Sequence, residues 1–171
     1  VPLTAIVEQE VWEALQQNHF DVLAISAVQY SNGYIFDFNF LDQIKAAFPR
    51  VIILIDGTQF LGAEAFSLKH SPVDALFGST YKWLMAGHGT GYALFSPLLP
   101  QRLGLEQERL ERVYARGQLS VKAVGTLLFS FKKLLAEDFP ALLQFKKELS
   151  RHLFEGLQQR KLLDEANLSR K

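Results

Sequence analysis

Five consecutive aliphatic residues, Val51-Ile52-Ile53-Leu54-Ile55, close on Asp56-Gly57. A β-branched, uninterrupted run of this length is a strand covered on both faces, and it is far too short to cross a bilayer. Such a strand needs partners of the same kind and helices to cover it. The chain supplies both. Phe20 to Val28 is a second, mostly apolar strand that ends in the polar turn Gln29-Tyr30-Ser31-Asn32-Gly33. Val73 to Gly78 is a third and runs into Ser79-Thr80-Tyr81-Lys82, and Gly91 to Phe95 is a fourth, bounded by Gly89 and Pro97. Between them the period changes from two to three or four. Residues 5–17 place Val7, Val11, Ala14 and Leu15 on one helical face with Thr4 as the N-cap, and Phe40 to Phe48 form a helix capped by Asn39 and stopped by Pro49. Strands alternating with helices predict an α/β fold: a mostly parallel sheet with helices on both faces. The last strand is expected to run antiparallel, because a tight glycine turn cannot make a parallel crossover.

After Pro100 the pattern turns helical. The expectation is one charged helix over 101–112 and a second from Ser120 to Ala136, with Val121, Val124, Leu128, Phe131 and Leu135 on one face. A third starts near Asp138-Phe139-Pro140 and carries Leu142, Phe145, Leu149, Leu153 and Leu157. Two units follow from this: residues 1–100 as a core, and 101–171 as a helical segment. The chain opens Val1-Pro2-Leu3 and ends Leu168-Ser169-Arg170-Lys171, which reads either as trimmed termini or as a piece of a longer protein.

Charge narrows the function. Lys and Arg total 18, as do Asp and Glu, so no field favours nucleic acid or a membrane surface. With no cysteine, disulfides, thiolate metal sites and cysteine nucleophiles are excluded within the chain, and a reducing, cytoplasmic setting is compatible. His19, His70, His88 and His152 lack metal-ligand spacing.

Ligands of a parallel α/β sheet bind beyond the carboxyl ends of its strands. Polar residues gather there after three strands: Gln29 to Asn32, Asp56 with Gln59, and Ser79 to Lys82. Asp56 ends a dry strand, where a carboxylate needs a partner; Asp-Gly is equally a common turn pair. Lys82 stands between Tyr81 and Trp83, where desolvation would favour the neutral amine that carbonyl chemistry needs, although most lysines are solvated surface residues. Ala86-Gly87-His88-Gly89-Thr90-Gly91 is not a dinucleotide fingerprint, since its glycines precede a strand instead of opening a helix.

Three stretches carry a resemblance. Ile53-Leu54-Ile55-Asp56-Gly57-Thr58-Gln59, followed by Gly62, resembles the strand ending in Asp, with Gln three residues on, of the class V aminotransferase family of fold-type I pyridoxal-phosphate (PLP) enzymes, which includes cysteine desulfurases and kynureninases. Val73-Asp74 through Ser79-Thr80-Tyr81-Lys82-Trp83-Leu84, then Gly87 to Tyr92, resembles the segment around that family's PLP lysine, and Ser26 to Gly33 is similar to a kynureninase-like strand end. The likeness covers about residues 20–96.

The resemblance implies a PLP-transferase large-domain core, incomplete in this chain, whose helical part leads toward a small C-terminal domain. It implies PLP as cofactor, an amino-acid substrate, and an enzyme that works through an internal aldimine on Lys82 as a transferase or lyase. Lys82 would also be the base at the substrate α-carbon. Asp56 would pair with the pyridine nitrogen, Gln59 would bond the ring's phenolic oxygen, Ser79 and Tyr81 would bind phosphate, and Gln29 or Tyr30 would sit near the ring or substrate. Two departures stand out: Tyr81 where the family usually has His, and His88 where its glycine turn usually has Pro. The family's phosphate loop, its ring-stacking residue and its substrate-carboxylate arginine fall outside the matching stretch, so the stretch alone is expected not to turn over. The complete protein is expected to be a homodimer. The competing reading is a homologue or fragment that keeps the fold without catalysis.

Overall fold

The computed structural model describes residues 7–114 and 120–163. The predicted cap Thr4 and the first two residues of the first predicted helix lie outside the described residues.

Four strands form one sheet in the order β1 (Val22–Ser26), β2 (Ile52–Asp56), β3 (Ala75–Ser79), β4 (Gly91–Phe95). The pairs β1–β2 and β2–β3 are parallel and β3–β4 is antiparallel, as the glycine turn requires. Alternation along the strands divides the side chains between two layers. On one face Leu23, Ile25, Ile53, Ile55, Leu76 and Tyr92 pack against α1 (Val7–Gln17) and α2 (Phe38–Ala47) through Val11, Trp12, Leu15, Leu41 and Ile44. Leu41, Ile44, Ile53 and Leu76 are fully buried, each worth about 1.5–3 kcal/mol of transfer free energy. On the other face Ile52, Leu54, Ala75, Phe77 and Phe95 meet Leu99 of α3 (Leu99–Arg102), Leu105 and Leu110 of α4 (Gln107–Tyr114). Helices thus cover both faces, as the strand pattern predicts.

Three expectations need correction. The cap of α2 is Asp37, not Asn39: its carboxylate accepts the Asn39 N–H at 2.9 Å, and the helix starts two residues early. The single helix expected over 101–112 is two, α3 and α4, separated at Gly104, whose φ of +61° lies in the left-handed region that ends helices. The apolar stripe of α5 (Val121–Ala136) exists but does not face a core, since Val121, Leu128 and Leu135 are exposed. The helix is anchored instead by small residues: Ala123 is buried, Thr126 Oγ1 accepts the Gly87 N–H at 2.8 Å, and Ser130 Oγ donates to the Met85 carbonyl at 3.1 Å. Leu142, Phe145, Leu149 and Leu153 of α6 (Phe139–Gln159) are likewise exposed. Among the described residues no helix is long and apolar enough to cross a membrane.

A buried carboxylate ties the strand entries to the helices. Asp74, just before β3, accepts from Lys45 Nζ of α2 at 2.6 Å, from Arg102 Nη1 of α3 at 2.5 Å, and from the Ile53 N–H at 2.8 Å. Burial, joined by the charge of Arg102, pushes the Lys45 ammonium below the ordinary lysine value against the opposing hydrogen bond and charge of Asp74.

Candidate functional site

The parallel register sets Ser26 beside Asp56, and Asp56 beside Phe77, so the carboxyl ends of β1, β2 and β3 lie together. The three polar clusters of the sequence therefore meet at one sheet edge. A cavity of about 230 Å³ opens there, lined by Ser26, Val28, Tyr30, Asp56, Thr58, Gln59, Tyr81 and Lys82. Asp56 is its one carboxylate and Lys82 its one amine. A second hollow of about 490 Å³ adjoins it, sharing Ser26 and Asp56, and runs over Ala24, Leu54 and Phe77. Gln29 lines this second hollow, not the first. Ser79 lines neither; its backbone N–H donates to Thr58 Oγ1 at 3.2 Å. Of the residues singled out by sequence, the structure thus brings Tyr30, Asp56, Gln59, Tyr81 and Lys82 together and sets Gln29 and Ser79 to the side.

Local chemistry explains each placement. Asp56 Oδ1 accepts the Thr58 N–H at 2.9 Å, the side-chain turn that Asp-Gly favours, and the same carboxylate faces the cavity. Turn and site are one feature. Gly57 is required by close approach: a Cβ there would stand 2.7 Å from Leu76 Cδ1 and 2.8 Å from Tyr92 Oη. At Gly78 on the next strand a Cβ would meet Tyr92 Oη at 2.4 Å. The two glycines make a slot for the Tyr92 ring. Its hydroxyl is buried without a hydrogen-bond partner among the described residues, and burial, with Asp56 adding to it, pushes that hydroxyl above its ordinary value.

Lys82 sits in a short closed loop. The Ala86 N–H donates to the Thr80 carbonyl at 3.0 Å and the Met85 N–H to the Lys82 carbonyl at 2.8 Å, while Met85 takes a φ of +53°. That conformation is costly for a non-glycine residue and persists only where surroundings hold it. Ser130 and Thr126 of α5 and the buried Thr80, whose hydroxyl pairs with Thr90, are those surroundings. Lys82 itself is exposed, so the desolvation expected from its aromatic neighbours is not supplied by the described residues. Its Nζ lies 5.3 Å from the Tyr81 ring centroid.

Sequence reasoning missed three contacts. Thr58 bridges Asp56 to β3. Trp83 Nε1 donates to Gln59 Oε1 at 3.2 Å, tying the lysine loop to the segment after β2. Tyr81 and His88 stack with centroids 4.4 Å apart and planes tilted 30°. The last pair joins Tyr81 and His88, the two positions at which the sequence departs from the resemblance.

No family model and no curated protein sequence matches the chain. Solved structures do. Alanine–glyoxylate aminotransferase of Nostoc sp. superposes with a TM-score of 0.74 at 18% identity, over 88% of this chain and 44% of that one. An aspartate aminotransferase of subgroup IV from Thermus thermophilus gives 0.72 at 18% identity, over 86% and 45%. Ureidoglycine–glyoxylate aminotransferase of Bacillus subtilis gives 0.68 at 12% identity, over 82% and 40%. The chain has the fold of these aminotransferases and spans less than half of their length.

Proposed function

We propose that this chain is the cofactor-binding core of a PLP-dependent enzyme of the class V aminotransferase family, acting on an amino acid, with Lys82 as the residue that holds the cofactor. One observation carries the reading. In a chain with an aminotransferase fold, Asp56, Gln59, Tyr81 and Lys82, drawn from two separate segments, line a single cavity at the carboxyl ends of parallel strands.

The donor set fits PLP by its chemistry: a carboxylate for the pyridinium, an amide for the phenolic oxygen, a primary amine for the aldehyde, and a phenol hydroxyl for phosphate. When bound, PLP supplies a ring that withdraws electrons from the substrate α-carbon. The chain's residues do the rest. Asp56 pairs with the ring nitrogen and keeps it protonated. Gln59 donates to the ring oxygen. The Lys82 amine anchors the cofactor, then takes and returns a proton at the α-carbon. Tyr81 donates to phosphate, and Ser79, which lies outside the cavity lining, is its expected partner there. Tyr30, or Gln29 from the adjoining hollow, meets the substrate side. The complete protein is a cytoplasmic homodimer in this reading, and the exposed apolar faces of α5 and α6 support a larger assembly.

A second reading, a homologue that keeps the fold without turnover, is favoured by the exposure of Lys82. Substitution in the full-length protein separates the two. Lys82→Ala should abolish the absorbance of the lysine-linked cofactor while some cofactor stays bound, and lower turnover by at least ~10²–10⁴-fold. Lys69→Ala, on an exposed short turn far along the chain, should be silent. Undiminished turnover in Lys82→Ala refutes the proposal; a colourless, inactive wild type supports the second reading.

A further inference from the structure

Gln59 reaches the cavity from a segment that has no regular structure of its own, so something outside it must orient the amide. Trp83 is in place to do so. An indole N–H can only donate, and it points at Oε1 of Gln59 at 3.2 Å. The amide oxygen is thereby turned toward the indole, and the NH₂ group is left for the cavity that Gln59 lines. With the amide reversed, two donors would face each other across 3.2 Å.

Two contacts bear on Trp83, one at its backbone and one at its ring. Gly62, with a φ of +89°, lets the segment after β2 press against the backbone of Trp83, where a Cβ would stand 3.1 Å from the carbonyl. Lys146 of α6 lies 5.8 Å from the ring centroid. The same ammonium donates to the Ala63 carbonyl and pairs with Glu64 at 2.5 Å, which fixes that segment to α6.

We propose that Trp83 is a positioning residue for Gln59: its indole N–H locks the amide so that Gln59 presents a donor, never an acceptor, to an anionic oxygen of the ligand in the cavity. The inference rests on the PLP reading above and deepens it. A locked donor favours the deprotonated phenolic oxygen of the cofactor, and a freely turning amide does so less.

The test is the pH titration of the visible absorption band of the full-length protein loaded with PLP. Without the donor the deprotonated form loses support, so the midpoint rises. Trp83→Phe frees the amide without removing its NH₂ donor, so it should raise the midpoint by a fraction of a pH unit, less than the roughly one unit expected where the hydrogen bond to the charged oxygen is lost outright. Replacement of Trp83 by its benzothiophene isostere, which keeps the ring shape and deletes only the N–H, should shift it the same way, and covers the case in which Trp83→Phe fails to fold. Gln59→Leu should also raise the midpoint, and Trp83→Phe should then add nothing. A wild-type midpoint in both position-83 variants overturns the inference, as does an equal further shift in the Gln59→Leu background. A wild type that binds PLP without a titrating band on Lys82 overturns the proposed function first, and this inference with it.

Discussion

Asp74 is a buried carboxylate away from the cavity whose removal should cost this fold heavily. Its side chain is 5% exposed and carries three bonds: Lys45 and Ile53 on one oxygen, Arg102 on the other. The two cations are three-quarters covered, at 25% and 22% exposure, and both also donate to the Val51 carbonyl. Asp74→Ala leaves both without their counter-charge and the buried Ile53 N–H without an acceptor. Breaking a buried ion pair from one side costs about 3–5 kcal/mol. The retained carbonyl contacts and partial solvent access place this case near the lower end, about 3 kcal/mol. Asp74→Asn keeps the shape and one acceptor and should cost about 2 kcal/mol. Urea unfolding of the full-length protein, followed by the fluorescence of Trp12 between Phe40 and Phe48, reads the difference as a lower midpoint at unchanged slope. An Asp74→Ala midpoint equal to wild type would show that the cluster is decoration and not a tie between strands and helices.

Two further outcomes follow from the same interior. Because burial lowers the Lys45 value in the folded chain, the unfolded chain holds that proton more tightly, and stability gains from this group as pH climbs to the ordinary value of 10.5; the stability of wild type relative to Lys45→Met should therefore increase over that window in paired urea titrations. The Tyr92 hydroxyl is buried without a partner among the described residues, so Tyr92→Phe should raise stability by up to about 1 kcal/mol at neutral pH. Its folded value is raised, so the wild type should lose stability relative to Tyr92→Phe as pH passes 10.0, where the unfolded phenol ionises; a parallel pair of pH curves would contradict this.

How much of this was readable before the structure depended on the kind of force at work. Ile53 and Ile55 are buried because a run of aliphatic residues has only one stable use in a sheet, and periodicity reports that directly. The meeting of Asp56, Gln59 and Lys82 was readable because parallel strands place their carboxyl ends together whatever the side chains are. Local hydrogen bonding competed with the pattern at α2, where Asp37 outdid Asn39 as a cap, and Gly104 broke a charged helix that composition alone joined. The tertiary contacts left no mark in any period. Lys45 and Arg102 lie far apart in sequence and meet at Asp74 and the Val51 carbonyl. The Trp83–Gln59 bond joins two loops, and α5 uses Thr126 and Ser130 to hold the lysine loop while its apolar stripe stays exposed. A stripe tells that a face is meant to be covered, not what covers it.

The central claim is that Lys82 carries the cofactor, and one measurement addresses it directly. Full-length protein loaded with PLP is reduced with borohydride, digested, and the peptides are mapped by mass spectrometry. A phosphopyridoxyl group is expected on the peptide containing Tyr81-Lys82-Trp83, at Lys82 alone, and none after Lys82→Ala. Label on another lysine, or none on a protein that otherwise folds, would contradict it.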